Sequence, residues 1–326
     1  MLICEHGGNL DRAISQFGGD RKDWLDLSTG INPHAFSVLD HRAELWRELP
    51  DQDLVESAIH SARDAYQSKF ECLPLAGVQQ AIQLFPSIIK AKAKKASILY
   101  PTYNEYEAQL GKAGWQINYC QTLDEMVGAD CAIAVNPNNP DGSKFLPNNL
   151  LELSDNVGTL IIDESFCDLY PDLSVLPHLR EQNKNIITFR SFGKFYGLAG
   201  LRLGFVFACD EILNAFSDAA GKWAVSAPAL DVGARALKDE KWRQKMLVKL
   251  EQDAYRLDKI AHQNSLKSVG GTNLFRLYQC KNPKDMQYKL AKHKVWTRIF
   301  SYSDTWIRIG LPPENGWTQL SRAFEL

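Results

Sequence analysis

The chain has 326 residues, with 37 lysines and arginines against 39 aspartates and glutamates and a formal net charge of −2. That length fits one large α/β domain, or a large domain with a smaller companion, and buries a substantial core. The even charge balance, with no basic block, argues against a phosphate-backbone footprint of the nucleic-acid kind, and no segment is long and uncharged enough to span a bilayer.

The opening Met1-Leu2-Ile3-Cys4-Glu5-His6 lacks the basic and long apolar regions of a signal peptide. Seven cysteines, Cys4, Cys72, Cys120, Cys131, Cys167, Cys209 and Cys280, are scattered without CxxC spacing. They read as reduced thiols of a soluble cytoplasmic protein, and no metal site is expected.

In chain order, Cys72 to Ile82 reads as a turn feeding a helix. Gly77 allows close backbone approach, and the amides of Val78 and Gln79 are helix N-terminal donors suited to phosphate. Candidate strands follow at Ala96 to Tyr100, Trp115 to Cys120, Cys131 to Val135, Thr159 to Asp163, Asn185 to Phe189 and Leu203 to Ala208. Several are apolar throughout, as strands covered on both faces are. The pattern predicts an α/β fold with a mainly parallel sheet sandwiched by helices. After Ser226-Ala227-Pro228 the character changes. Trp242, Met246, Leu250, Ala254, Leu257 and Ala261 recur at helical spacing, and strands are expected near Asn273 to Leu277 and Trp306 to Gly310. This makes a smaller α+β C-terminal domain over 236–326, beside a large domain over 41–235 and an N-terminal arm over 1–40 that joins the small one.

Chemistry concentrates at the strand ends. Lys194 lies in Arg190-Ser191-Phe192-Gly193-Lys194-Phe195-Tyr196-Gly197-Leu198-Ala199-Gly200-Leu201-Arg202. A lysine in a tuned site forms a Schiff base, and Ser191 and Arg202 suit a phosphate beside it. Together they point to pyridoxal phosphate. Asp163, ending an apolar strand, either caps the next turn or pairs with a pyridine nitrogen. In Asn136-Pro137-Asn138-Asn139-Pro140-Asp141-Gly142, a rigid turn also places Asn139 to donate to a phenolic oxygen. Tyr103 follows a strand and is able to stack on a flat ring. Arg298 and Arg308, on neighbouring strands, suit a substrate with two anionic groups.

This ordered set resembles the fold-type I pyridoxal-phosphate enzymes, the aspartate and histidinol-phosphate aminotransferase superfamily, over nearly the whole chain. The resemblance implies Lys194 as the Schiff-base lysine, Asp163 on the pyridine nitrogen and Asn139 on the ring hydroxyl. It also implies Ser191, Arg202 and Gly77-Val78-Gln79 on the cofactor phosphate, Tyr103 on the ring face and Arg308 on the substrate carboxylate.

A narrower likeness lies in His6-Gly7-Gly8-Asn9-Leu10, Leu25-Asp26-Leu27-Ser28-Thr29-Gly30-Ile31-Asn32-Pro33, Trp223 to Leu230, Gly270 to Leu277 and Arg308-Ile309-Gly310-Leu311-Pro312. These are similar to the threonine-phosphate decarboxylases of cobalamin synthesis, which makes His6, Asn32 and Arg298 candidate substrate contacts. Two positions depart from the aminotransferase pattern: Phe166 and Leu49 stand where many members have tyrosines. Phe166 removes a hydrogen bond to the ring hydroxyl and suits the decarboxylase branch. The rival readings are an aminotransferase of a phosphorylated substrate such as histidinol phosphate, and a non-catalytic binding module on the same fold. The resemblance further implies a homodimer acting on a small phosphorylated amino acid, with neither nucleic acid nor membrane as partner.

Overall fold

In the computed structural model, which describes residues 7–38 and 42–325, seven strands form one sheet. Their spatial order is Cys72–Leu75, Gly204–Phe207, Ile186–Ser191, Thr159–Asp163, Cys131–Val135, Lys95–Leu99 and Gln116–Cys120. Gly204–Phe207 runs against both its neighbours, and the remaining pairings are parallel. Parallel neighbours require crossovers, here supplied by helices such as Glu105–Lys112 and Pro147–Ser154. The central Cys131–Val135 strand is buried at every position, which explains its unbroken apolar sequence. Phe85, Phe189 and Phe216 pack in the same core with Ile98, Tyr106 and Ile161. Each fully buried phenyl ring contributes about 1.5–3 kcal/mol of transfer free energy.

Two readings change. Cys72–Leu75 is not a turn but a strand, paired with Gly204–Phe207 in register Leu75↔Gly204. Proline survives in it because this is a sheet edge. Gln116–Cys120 forms the opposite edge and is largely exposed, so its polar side chains face water. Apart from Cys131–Val135 and Thr159–Asp163, the expected strands differ from those observed by one to three residues at their ends.

The sheet belongs to the larger of two units, 36–139 with 143–243. The smaller comprises 1–35, 140–142 and 244–326. Its four-stranded antiparallel sheet has the order Arg298–Phe300, Ser303–Gly310, Phe275–Gln279 and Lys267–Thr272. The N-terminal arm enters this unit through Leu25–Asp26, which pairs in parallel with Val295–Trp296. Lys294 secures the arm helix Leu10–Phe17: its Nζ donates to the carbonyls of Phe17 and Gly18, each at 2.7 Å, and lies 5.1 Å from the Trp24 ring centroid.

The segment 140–142 rests on a pair of glycines. The Gly271 N–H donates to the Asp141 carbonyl at 2.7 Å, and a Cβ at Gly270 would run into that same carbonyl. Gly270→Ala is therefore expected to destabilise the protein by about 1–3 kcal/mol. Gly111→Ala, in a helix with open space around it, is expected to stabilise by about 0.5–1 kcal/mol. Denaturant titration of both variants checks the contrast.

Candidate active site

The larger unit gathers its polar side chains at the carboxyl ends of the strands, where open α/β sheets bind ligands. Thr159–Asp163 ends in a carboxylate that is 3% exposed. Tyr106 Oη donates to Asp163 Oδ2 at 2.7 Å, and the Ser165 N–H donates to Oδ1 at 2.9 Å. Burial raises the Asp163 pKa above the usual carboxylate value, while the bonds from Ser165 and Tyr106 and the charge of Lys194 oppose the rise. The carboxylate is thus desolvated and only partly compensated, a fit partner for a protonated ring nitrogen.

Lys194 follows the strand Ile186–Ser191 in the short helix Phe192–Phe195. It is half-buried, with its ammonium 5.8 Å from the ring centroid of Phe166. Ser191, 9% exposed, ends the strand.

A second cluster is built around Gly77. It has φ 80°, and its N–H donates to the Leu75 carbonyl at 2.6 Å. The helix Val78–Ile88 begins directly after it, so the amides of Val78 and Gln79 have no intrahelical acceptor. Arg202, itself left-handed at φ 55°, donates from Nη1 to the Ala199 carbonyl at 3.0 Å. A Cβ at Gly77 would lie 2.7 Å from Arg202 Nη2. The tertiary structure therefore brings these two phosphate candidates together. Gly204 completes the cradle, since a Cβ there would lie 2.7 Å from the Val78 nitrogen.

Gln79 has a further role in its side chain. Its Oε1 accepts from Tyr103 Oη at 3.1 Å, and its Nε2 donates to Glu105 Oε2 at 2.6 Å. Tyr103 in turn meets Tyr106 edge-on, with centroids 6.5 Å apart. In the asparagine turn, Asn136 donates to the Phe145 and Leu173 carbonyls, and Asn138 accepts from Thr102 Oγ1 at 2.6 Å. Both are buried, whereas Asn139 is half-buried. The first two asparagines build the turn that presents the third.

Tyr106 was not among the expected site residues. It stands in the first turn of the helix Glu105–Lys112, just after the strand-end segment that holds Tyr103, and that nearness to a candidate ring-stacking residue is the signal that finds it. Also unforeseen is the buried ion cluster next to Asp163. Arg190 Nη1 lies 2.9 Å from Glu164 Oε2, and its Nη2 lies 3.1 Å from Asp168 Oδ1.

The other candidates belong to the smaller unit. Arg298 and Arg308 are directly opposite each other on paired strands, so they share a sheet face. Arg308 is 6% exposed, and its Nη2 donates to the Ser28 carbonyl at 2.7 Å. Asn32 is buried, and its Oδ1 accepts from the His34 N–H at 2.8 Å. His34 Nε2 lies 2.8 Å from Asp253 Oδ2, and Lys249 donates to Asp253 Oδ1 at 2.7 Å. Sequence reasoning selected Asn32 but not this anchor, whose partners lie more than 200 residues apart. His6 lies outside the described residues. Among the described residues no His/Cys/Asp/Glu group could hold a metal ion, and no helix is long and apolar enough to cross a membrane.

A sheet of this topology, with a lysine and a buried aspartate at its strand ends, defines a class: the chain belongs to the class I and II aminotransferase family, whose model matches residues 50–323. Within that class it is 40% identical to a threonine-phosphate decarboxylase of Sinorhizobium sp, over 95% of this chain and 93% of that one. It is 33% identical to a threonine-phosphate decarboxylase of Pseudomonas aeruginosa, over 98% and 97%. Among solved structures, the histidinol-phosphate aminotransferase of Sinorhizobium meliloti in complex with pyridoxal-5'-phosphate superposes with a TM-score of 0.83 at 16% identity, covering 96% of this chain and 93% of that one. The cofactor is pyridoxal 5'-phosphate, and the Gly77 cradle, Arg202, Asp163 and Lys194 fit it.

Two predictions follow from this geometry. Gly77→Ala combines a strained backbone with a clash against Arg202, so cofactor affinity is expected to fall by about tenfold or more, read by absorbance titration of cofactor-free protein. The second concerns pH. Because the folded-state pKa of Asp163 is raised, its protonated form contributes stability that is present at low pH and lost as pH rises through that pKa. Cofactor-free Asp163→Asn is therefore expected to melt at or above the wild-type temperature at neutral pH. That difference should shrink as pH falls toward the ordinary carboxylate range, and thermal scans across pH 4–8 on the order of one unit apart measure it.

Proposed function

We propose that this protein is a lyase that decarboxylates L-threonine O-3-phosphate to (R)-1-amino-2-propanol O-2-phosphate for cobalamin biosynthesis. The observation that carries this reading is the similarity, over nearly the full length, to two threonine-phosphate decarboxylases. The likeness to a histidinol-phosphate aminotransferase structure, at 16% identity, supports the fold alone. Phe166 also favours decarboxylation over transamination of a phosphorylated substrate such as histidinol phosphate. Its ring lies near the Lys194 ammonium and offers no hydroxyl to the site. The presence of Lys194 and Asp163 speaks against a non-catalytic module.

When bound, pyridoxal 5'-phosphate supplies an electron sink for the pair released at the substrate Cα. Lys194 would hold the cofactor and, as an ammonium, would supply the proton to the substrate Cα. Asp163, desolvated and oriented by Tyr106 and Ser165, holds the proton on the ring nitrogen. Arg202, Ser191 and the amides of Gly77-Val78-Gln79 bind the cofactor phosphate. Tyr103, fixed through Gln79, covers the ring face, and Asn139 donates to the ring hydroxyl. Arg308 takes the substrate carboxylate, while Arg298, Asn32 and His6 take the substrate phosphate. By orienting the substrate, these four residues choose which Cα bond breaks. The proposal includes a homodimer in the cytoplasm, as the family resemblance implies. Trp46, Leu49 and Trp223, each at least 60% exposed, are apolar residues of the larger unit that a partner would cover.

The test is to incubate the holoenzyme with L-threonine O-3-phosphate and measure carbon dioxide against 2-oxo acid. Carbon dioxide release that is lost by about 10³-fold or more in Lys194→Ala is expected. Formation of 2-oxo acid without carbon dioxide would establish the aminotransferase instead.

A further inference from the structure

Gln79 joins two parts of the larger unit. Its backbone lies in the first turn of the helix Val78–Ile88, beside Gly77, and its side chain reaches across to the start of the helix Glu105–Lys112. There Glu105 is 7% exposed, and one of its oxygens carries two bonds. Oε2 accepts from Gln79 Nε2 at 2.6 Å and from Gln109 Nε2 at 3.0 Å. Gln109 stands one turn further along the same helical face. The carboxylate is therefore buried and held in place from two sides.

The direction of each hydrogen bond in this chain follows from its chemistry. A carboxylate oxygen accepts, so the end of the Gln79 amide that faces Glu105 is its NH2. The carbonyl end must then face Tyr103, whose Oη lies 3.1 Å away and donates to it. Tyr103 thus spends its one O–H proton on the protein, and its ring is the part left to serve a ligand. With the amide turned round, the same hydroxyl would accept from Gln79 and keep its proton for other partners. Glu105 decides between the two. Tyr106, next to Glu105, donates to Asp163 Oδ2 and meets the Tyr103 ring edge-on, with centroids 6.5 Å apart. The first turn of one short helix thereby braces both Asp163 and Tyr103.

We propose that Glu105 is a positioning residue which, acting through the Gln79 amide, fixes the Tyr103 ring over the cofactor. This rests on the ring-covering role proposed above for Tyr103 and assigns the carboxylate that sets its orientation. A ring ordered before the ligand arrives saves the cost of ordering it on binding. Aromatic stacking is worth about a factor of two to ten in affinity, so the effect of losing that order lies in the same range.

The test titrates cofactor-free protein with pyridoxal 5'-phosphate by absorbance and involves no turnover. In Glu105→Leu the affinity is expected to fall by about three- to tenfold, whereas Glu105→Gln, which keeps an acceptor for Gln79 Nε2, stays within about twofold of wild type. Tyr103→Phe is expected to lose a similar factor to Glu105→Leu. The double variant should lose no more than the weaker-binding of the two, because both break one chain. Should Glu105→Leu not fold, Gln79→Met, at a half-buried position, breaks the same chain and is expected to match Tyr103→Phe without adding to it. Losses that add in full, a Glu105→Gln as weak as Glu105→Leu, or unchanged affinity in Tyr103→Phe would overturn the assignment. Absence of carbon dioxide release from the wild type would instead overturn the functional reading, and the cofactor titrations would still decide the role of Glu105.

Discussion

Two carboxylates adjacent in sequence, Asp163 and Glu164, are buried at the end of one strand, and the larger unit depends on how each is compensated. Glu164 is fully buried and meets Arg190, the Ser174 hydroxyl and the Val175 N–H. Burial alone raises its pKa, and Arg190 is foremost among the groups that pull it back. Arg190 also reaches Asp168 and stacks over the Tyr66 ring, 3.9 Å from its centroid. This cation arises from the neighbouring strand, so the ion cluster ties Thr159–Asp163 to Ile186–Ser191 just where both lead into the site. Removing one partner of such a buried pair costs about 3–5 kcal/mol, because it strands a charge.

Asp163 is treated differently. It has two hydrogen bonds and a nearby ammonium but no guanidinium against it. The arrangement leaves a carboxylate that the residues around it compensate only in part. The two neighbours thus differ in their partners: Glu164 is ion-paired with Arg190, which ties two strands together, while Asp163 meets a phenol, a backbone N–H and the charge of Lys194. The Gly77 cradle follows a similar logic. Gly77, Arg202 and Gly204 all come from the pairing of the edge strand with its neighbour, and the absence of two side chains makes the space.

Much of this was legible along the chain. Fully apolar strands such as Cys131–Val135 announce burial on both faces, and the residues that end them announce the site. Lys194, Asp163 and the Gly77 turn are each local patterns of a few residues. Other features lack any local sign. Tyr106 looks like another core aromatic until its hydroxyl is found on Asp163. The edge strand Cys72–Leu75 carries a proline and only four residues, too few for a periodicity to speak. His34 and Asp253 are ordinary surface-type residues far apart in sequence, and only folding makes them neighbours.

The sequence by itself determined the α/β class and the cofactor, and singled out Lys194 and Asp163 as the candidates to serve it. These depend on short-range order: alternation or its absence, a turn glycine, and a charged residue at a strand end. The tertiary structure decided how those groups are held. Long-range packing selected which of three asparagines builds the turn and placed Arg202 over Gly77. It left Asp163 desolvated beside a Glu164 that is ion-paired with Arg190. Such outcomes depend on distances between residues remote in the chain, and on the loss of water that only a closed core brings about.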